Sequence, residues 1–249
     1  MIRPDISANF FPEIHAGGFS RFDGTIQFYQ RVNSILRPDA VVLDYGAGRG
    51  APHLDDPVPF RRQLLRIQGK VRKVIGADID PIVTTNPAID EAIVLDNLGR
   101  LPLEDRSVDV ILSDHVFEHL EDPASVAREF DRILVPGGWI CARTPNRFGY
   151  IALLNRAIPE AFRLRTVGMA QPGRKEHDIF PAFYRLNSPA ALRQHFDPAR
   201  YDHFSHTWDS EPAYHFSSSI FYGLFLFAHA ISPPALKAMY HIFLRKKQA

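Results

Sequence analysis

"VVLDYGAGRG", Val41 to Gly50, decides the fold. Val41, Val42 and Leu43 are apolar at consecutive positions, as in a strand covered on both faces. Asp44 follows, and then Gly46, Gly48 and Gly50. Glycines placed directly after a buried strand let backbone N–H groups approach a ligand. The helix start that follows favours the ligand's negative end. Taken alone the pattern also fits a structural turn, or a dinucleotide fingerprint in which Gly46, Gly48 and Ala51 satisfy G-x-G-x-x-A.

On either side of this stretch, strand and helix signals alternate. Gly24 to Leu36 places Ile26, Tyr29, Val32 and Leu36 at helical spacing. Strand-like runs recur at Val71–Asp80, Glu91–Asp96, Ser107–Asp114 and Trp139–Pro145. Between the last two, Asp122–Leu134 reads as a helix with Val126, Phe130, Ile133 and Leu134 on one face, broken by "VPGG". This alternation implies a parallel sheet with helices on both faces. Beyond Pro145 the chain is rich in aromatics and arginine without a clean period, as expected of an insertion packed over the sheet. "SPAALRQHF" then reads as a helix with Ser188 as N-cap and Pro189 in its first turn. "YDHFSHTW" reads as a sixth strand, and "AMYHIFLRKK" as a last strand with a short helix as the alternative. We expect one domain over residues 1–249. It comprises an N-terminal helical segment (1–38), a ligand-binding core (39–146), an insertion (147–187) and C-terminal helices and strands (188–249).

Composition narrows the function classes. A formal charge of +1 over 249 residues supplies no basic field for nucleic acid, and the basic tail Arg245–Lys247 reads as a solvated end. The single cysteine, Cys141, excludes an internal disulfide and a cysteine-rich zinc site, and fits a reducing compartment. No basic segment followed by a long apolar run opens the chain, so a cytoplasmic location is expected. The most apolar stretch, Ile220–Ile231, is too short to span a bilayer. It is expected to be a buried helix, with peripheral membrane or lipid contact as the alternative. The histidines show no repeated ligand spacing, so no metal is expected.

The remaining motifs discriminate further. "VIGADID" puts Asp78 at the end of the second strand, where a carboxylate can accept two hydrogen bonds from a ribose diol. Then comes "LDNLGRLPLEDRSVDVILSDHVFEHLEDP", followed by "LVPGGWICARTPN". With the glycine turn, this series resembles the class I S-adenosylmethionine-dependent methyltransferases, specifically the type 11 group, over Val41–Asn146. The resemblance implies a Rossmann-like, doubly wound, mostly parallel sheet of seven strands, with S-adenosylmethionine as cofactor. Gly46, Ala47 and Gly48 would hold the methionine part, with Asp44 near its amino group. Asp78 would bind the ribose hydroxyls and Ile79 would pack on adenine. Either Asp96 or Asn97 would contact the adenine amino group. Asp114 and His115 would lie under the reacting sulfonium.

Methyl transfer from a sulfonium needs an acceptor aligned behind the methyl group, and a hydroxyl acceptor also needs a base. His115 is the first base candidate and His177, beside Asp178, the second. Glu118 and His119 are expected to support the site from below. Arg143, Asn146, Tyr184 and Arg185 are candidates to line an acceptor pocket. The segment carrying His15, Gly17, Gly18 and Arg21 is a candidate to close over the cofactor. The expected partner is a small-molecule acceptor such as a sugar, a glycan- or lipid-linked intermediate or a secondary metabolite. The apolar C-terminal part tilts the choice toward a bulky or lipid-bearing one. A nucleic-acid acceptor is disfavoured, because "SDHV" follows strand four where an aromatic "PPY-like" motif would be needed. A non-catalytic cofactor-binding protein and a nicotinamide-dependent oxidoreductase are the competing readings.

Overall fold

A computed structural model describes residues 6–95, 100–157, 181–212 and 218–248. Its sheet runs in the order β3-β2-β1-β4-β5-β8-β6, with β7 also paired to β8. The strands are β1 (Val41–Tyr45), β2 (Lys73–Asp78), β3 (Glu91–Val94), β4 (Val108–Asp114), β5 (Leu134–Pro145), β6 (Tyr201–His203), β7 (His206–Trp208) and β8 (Met239–Lys246). The first five are parallel, and β8 runs antiparallel to β5, β6 and β7. β6 and β7 are the expected single strand, held in one register against β8 and interrupted at Phe204–Ser205. There the Ser205 hydroxyl, in place of a backbone carbonyl, accepts the Phe243 N–H at 3.2 Å.

The apolar runs are explained by burial on both faces. Leu43, Ile75 and Ile111 point into one core layer with Val126, Phe130 and Ile133 of α4 (Pro123–Ile133) and Leu192 of α6 (Pro189–His195). Val42, Val74 and Val110 point into the other, against Phe28, Tyr29 and Val32 of α1 (Gly24–Ile35) and Leu65 of α3 (Pro59–Leu65). Each of three helices starts where a side chain caps it. Asp23 accepts from Thr25 and Ile26 N–H, Asp122 from Ala124 and Ser125, and Ser188 from Ala191. Asp23 also accepts from Arg61 of α3 at 2.6 Å, which ties α1 to α3. The second helix, α2 (Ala51–Asp55), follows the glycine turn directly.

Two expectations are corrected. β5 begins at Leu134, so "VPGG" ends α4 and is then absorbed into the strand. A register irregularity against β4 between Val108 and Val110 takes up the extra residues. The apolar C-terminal stretch does form a helix, α7 (Ser219–Ile231), but it is not buried. Ile220, Leu224, Phe227 and Ile231 are between 58% and 76% exposed, and of its residues only Tyr222 is buried. The helix packs on aromatic groups outside the sheet. Tyr222 meets Phe10 and Phe11, and Phe225 stacks on Tyr150 of α5 (Tyr150–Ala157). Its outer stripe is therefore left facing outward. Among the described residues no helix is long and apolar enough to cross a membrane.

Candidate functional site

Strand order reverses between β1 and β4, and open α/β sheets bind ligands at the carboxyl ends of strands beside such a switch point. Asp44, Asp78 and Asp114 all stand there, at the ends of β1, β2 and β4. The turn after β1 folds back on β2. Gly46 N–H donates to Ala77 O at 2.7 Å and Gly48 N–H to Asp78 Oδ2 at 2.8 Å. Gly46 has φ +85°, and a Cβ there would lie 2.2 Å from Val116 Cγ2, so no side chain fits. Gly50, at φ +73°, would meet Asn86 Oδ1 at 2.5 Å.

Asn86 is a support that sequence reasoning missed. Its amide donates to Ala47 O at 3.0 Å and Gly48 O at 3.2 Å, while its oxygen accepts the Ala88 N–H. These bonds draw the turn's carbonyls toward the 3-10 turn at Pro81–Thr85. No local pattern around Asn86 signals this, because its partners lie 38 and 39 residues away.

Asp78 fits a diol. Oδ2 accepts from Gly48 and Oδ1 accepts from the Asp80 N–H at 2.9 Å, so each oxygen is fixed in position and keeps one lone pair free. Beside it Ile79 is 53% exposed, an apolar surface that a flat base could cover. Asp96 and Asn97 lie outside the described residues.

Asp44 carries an unusual charge state. Burial, then the nearby charges of Asp114 and Asp78, push its pKa up to about 7. An ammonium group beside it would reverse that penalty, which fits the amino end of an amino-acid-bearing cofactor. Protonation is favoured by folding, so the contribution is fully present below pH 3.8 and is lost as pH rises through about 7. Stability of the free protein should therefore fall across that window, by up to about 1.4 kcal/mol per pH unit from this group. Melting curves from pH 4 to 8 check this: Asp44→Asn is expected to flatten the decline.

Asp114 is held differently. In the β4–β5 ladder it stands directly beside Arg143, whose Nε and Nη2 donate to its two oxygens at 2.7 Å each. The Tyr29 hydroxyl donates to Oδ2 at 3.2 Å. Burial alone would raise the pKa of Asp114; the Arg143 charge and its bonds outweigh that and hold it low. Arg143 also donates to Thr25 Oγ1 at 2.8 Å and lies over the Phe28 ring, so it anchors Asp114 to α1. Asn146 is likewise turned inward, donating to Ala235 O and Lys237 O, and Tyr184 is buried. Arg185 donates to Glu121 O and lies over Phe183.

His115 directly follows β4 at φ +59°, a left-handed conformation rare for a side-chain-bearing residue and concentrated at functional sites. Its N–H keeps the ladder bond to Arg143 O at 2.8 Å, while its ring is 47% exposed. Val116, next in the chain, rests on Gly46. His119 meets Pro181 O at 2.7 Å. His177 lies outside the described residues. The segment holding His15, Gly17 and Gly18 is pinned by an Arg21–Glu13 ion pair at 2.7 Å and by Phe19 stacked on Phe60. Among the described residues no group of three or more His, Cys, Asp or Glu is placed to hold a metal.

Residues 43–142 match the family model described as a methyltransferase domain. A probable S-adenosylmethionine-dependent methyltransferase of Mycolicibacterium smegmatis is 42% identical over 84 residues, 32% of this chain and 32% of that protein. The chain thus spans about a third of the length of the curated relatives it matches. Among solved structures, one chain of the complex between the Haloferax volcanii Trm112 methyltransferase activator and a putative methyltransferase superposes with TM-score 0.57. It is 16% identical, and the match covers 98% of this chain and 95% of that one. A possible histamine N-methyltransferase from Thermotoga maritima superposes with TM-score 0.55 at 18% identity, covering 97% of each chain. Both likenesses concern the fold.

Proposed function

Since residues 43–142 match a methyltransferase-domain model, we propose that this chain is an S-adenosylmethionine-dependent methyltransferase acting on a small molecule. The domain match favours this reading of the glycine fingerprint, which a nicotinamide enzyme would share. One observation carries the cofactor assignment: Asp78, with both oxygens fixed by Gly48 and Asp80 N–H and one lone pair free on each, is followed in the chain by the exposed Ile79. When bound, S-adenosylmethionine supplies an electrophilic methyl group. Asp78 would clasp its ribose, Asp44 would face its amino group, and the turn at Gly46–Gly48 would hold its methionine part. The protein then has to orient an acceptor oxygen in line with that methyl group and exclude water, a contribution of about 7–11 kcal/mol for well-placed reactants. His115 is the proton acceptor for a hydroxyl substrate. Calorimetry with S-adenosylhomocysteine tests the assignment: heat of binding is expected, and none with NAD.

The acceptor we favour is a lipid-bearing or otherwise bulky hydroxyl compound. The support is α7, which has no charged residue and turns Ile220, Leu224, Phe227 and Ile231 outward. Such a stripe gains about 25 cal/mol for each Å² of apolar surface it buries in an acyl boundary. The protein is expected to pellet with phosphatidylcholine vesicles, and the double variant Leu224→Glu, Phe227→Glu to stay in the supernatant. If neither pellets, the lipid part of the reading is wrong.

A further inference from the structure

We propose that Glu118 is a positioning residue that sets the tautomer of His115, keeping the ring proton on Nδ1 and leaving Nε2 as the atom that accepts a proton. The inference rests on the reading of His115 as the base. Two carboxylates flank its ring. Asp114 Oδ1 is 3.7 Å from Nε2, beyond hydrogen-bond reach, and its charge is already met by the bidentate Arg143. Glu118 Oε1 is 3.4 Å from Nδ1, long for a hydrogen bond but typical of a catalytic contact before substrate tightens it.

The state of Glu118 follows from what stands behind it. Asn187 Nδ2 donates to Thr144 Oγ1 at 2.6 Å and to Pro145 O at 3.0 Å. A hydroxyl has one proton, so Thr144 spends it on Glu118 Oε2, at 2.7 Å. All three side chains are buried. Oε2 is therefore an acceptor. Burial alone would favour the protonated acid, but the bond and charge of His115, the charge of His119 and the Thr144 hydroxyl outweigh it, so an ionised Glu118 and a proton on Nδ1 support each other. An ionised carboxylate accepts only, so the nitrogen facing it must carry the proton. Nε2 then has a free lone pair, on a ring that is 47% exposed.

In the reaction the acceptor O–H bond breaks and its proton passes to Nε2. The freed electron pair forms the oxygen–methyl bond, and the electrons of the old carbon–sulfur bond stay on the departing thioether. The imidazolium, stabilised by Glu118, returns its proton to solvent.

The test is heteronuclear NMR of the free protein labelled with 15N-histidine at pH 8.5, with the His115 signals among the eleven histidines identified by their loss in His115→Gln. In the wild type, Nδ1 is expected at the protonated and Nε2 at the unprotonated nitrogen shift, the reverse of the tautomer that free imidazole side chains favour. Glu118→Gln should swap them. The Thr144 hydroxyl would hold the new amide by its oxygen, turning the NH2 toward Nδ1, which must then accept. A wild-type Nε2–H tautomer, or an unchanged pattern in Glu118→Gln, overturns the proposal. Should that variant fail to fold, the wild-type tautomer alone decides. Heat on adding S-adenosylhomocysteine to the same sample reports separately on the methyltransferase reading.

Discussion

Asp78→Ala is expected to bind S-adenosylhomocysteine at least about 100-fold more weakly than the wild type. Hydrogen bonds to a charged acceptor contribute about 1.5–3 kcal/mol each. Two are lost when the carboxylate that faces the ribose diol is removed, and 1.4 kcal/mol is tenfold in affinity. A second cost comes from the protein itself. Gly48 and Asp80 N–H both donate to this carboxylate, so the glycine turn loses its tie to β2. Both residues are partly exposed and water can replace the bond, so the fold should lose only about 1 kcal/mol. Calorimetry read beside a melting curve separates the two effects. Equal affinities in the two proteins would remove Asp78 from the site, and with it the main physical support for the cofactor.

Arg143→Ala is expected to destabilise the fold by about 3–5 kcal/mol, the usual consequence of leaving one member of a buried ion pair alone. Asp114 and Arg143 have side chains only 17% and 11% exposed, and Arg143 also binds Thr25 on α1. The pH dependence should change as well. In the wild type the depressed pKa of Asp114 contributes stability above the ordinary carboxylate range, and that stability is lost as pH falls through the lower folded value. Without Arg143, burial would raise the Asp114 pKa. The variant should then gain stability from Asp114 as pH falls toward the ordinary carboxylate range, whereas in the wild type Asp114 only loses stability, and only below that range. Urea titrations from pH 3 to 8 check both. Arg143→Lys should fall between the two, because it keeps the charge and loses the two-pronged geometry.

The cofactor half of the site was legible because its chemistry is local. A diol needs a carboxylate at a strand end and a close-lying ligand needs bare backbone, so Asp78 and Gly46 stand out within a few residues of their strands. The acceptor half was much less so. Arg143 and Asn146 look like polar pocket lining, yet the first is bound to Asp114 and the second to the carbonyls of Ala235 and Lys237. Both assignments depend on strand register and on chain that returns about 90 residues later. Thr144 and Asn187 carry no motif at all, and they matter through Glu118.

The sequence by itself determined the strands, their helical covers and the end of the sheet at which a ligand binds. Apolar runs need burial on both faces, and glycine supplies the close backbone approach. Tertiary structure alone decided which charges are met and which apolar surface stays uncovered. Asp44 and Asp114 are both acids at strand ends. The register of β5 gives one of them an arginine, while the other is left with a pKa near 7. Ile220–Ile231 is apolar in either environment, and only the packing of Tyr222 and Phe225 against Phe10 and Tyr150 turned its other side outward. Burial and ion pairing are properties of neighbours, and in both cases the neighbours come from distant parts of the chain.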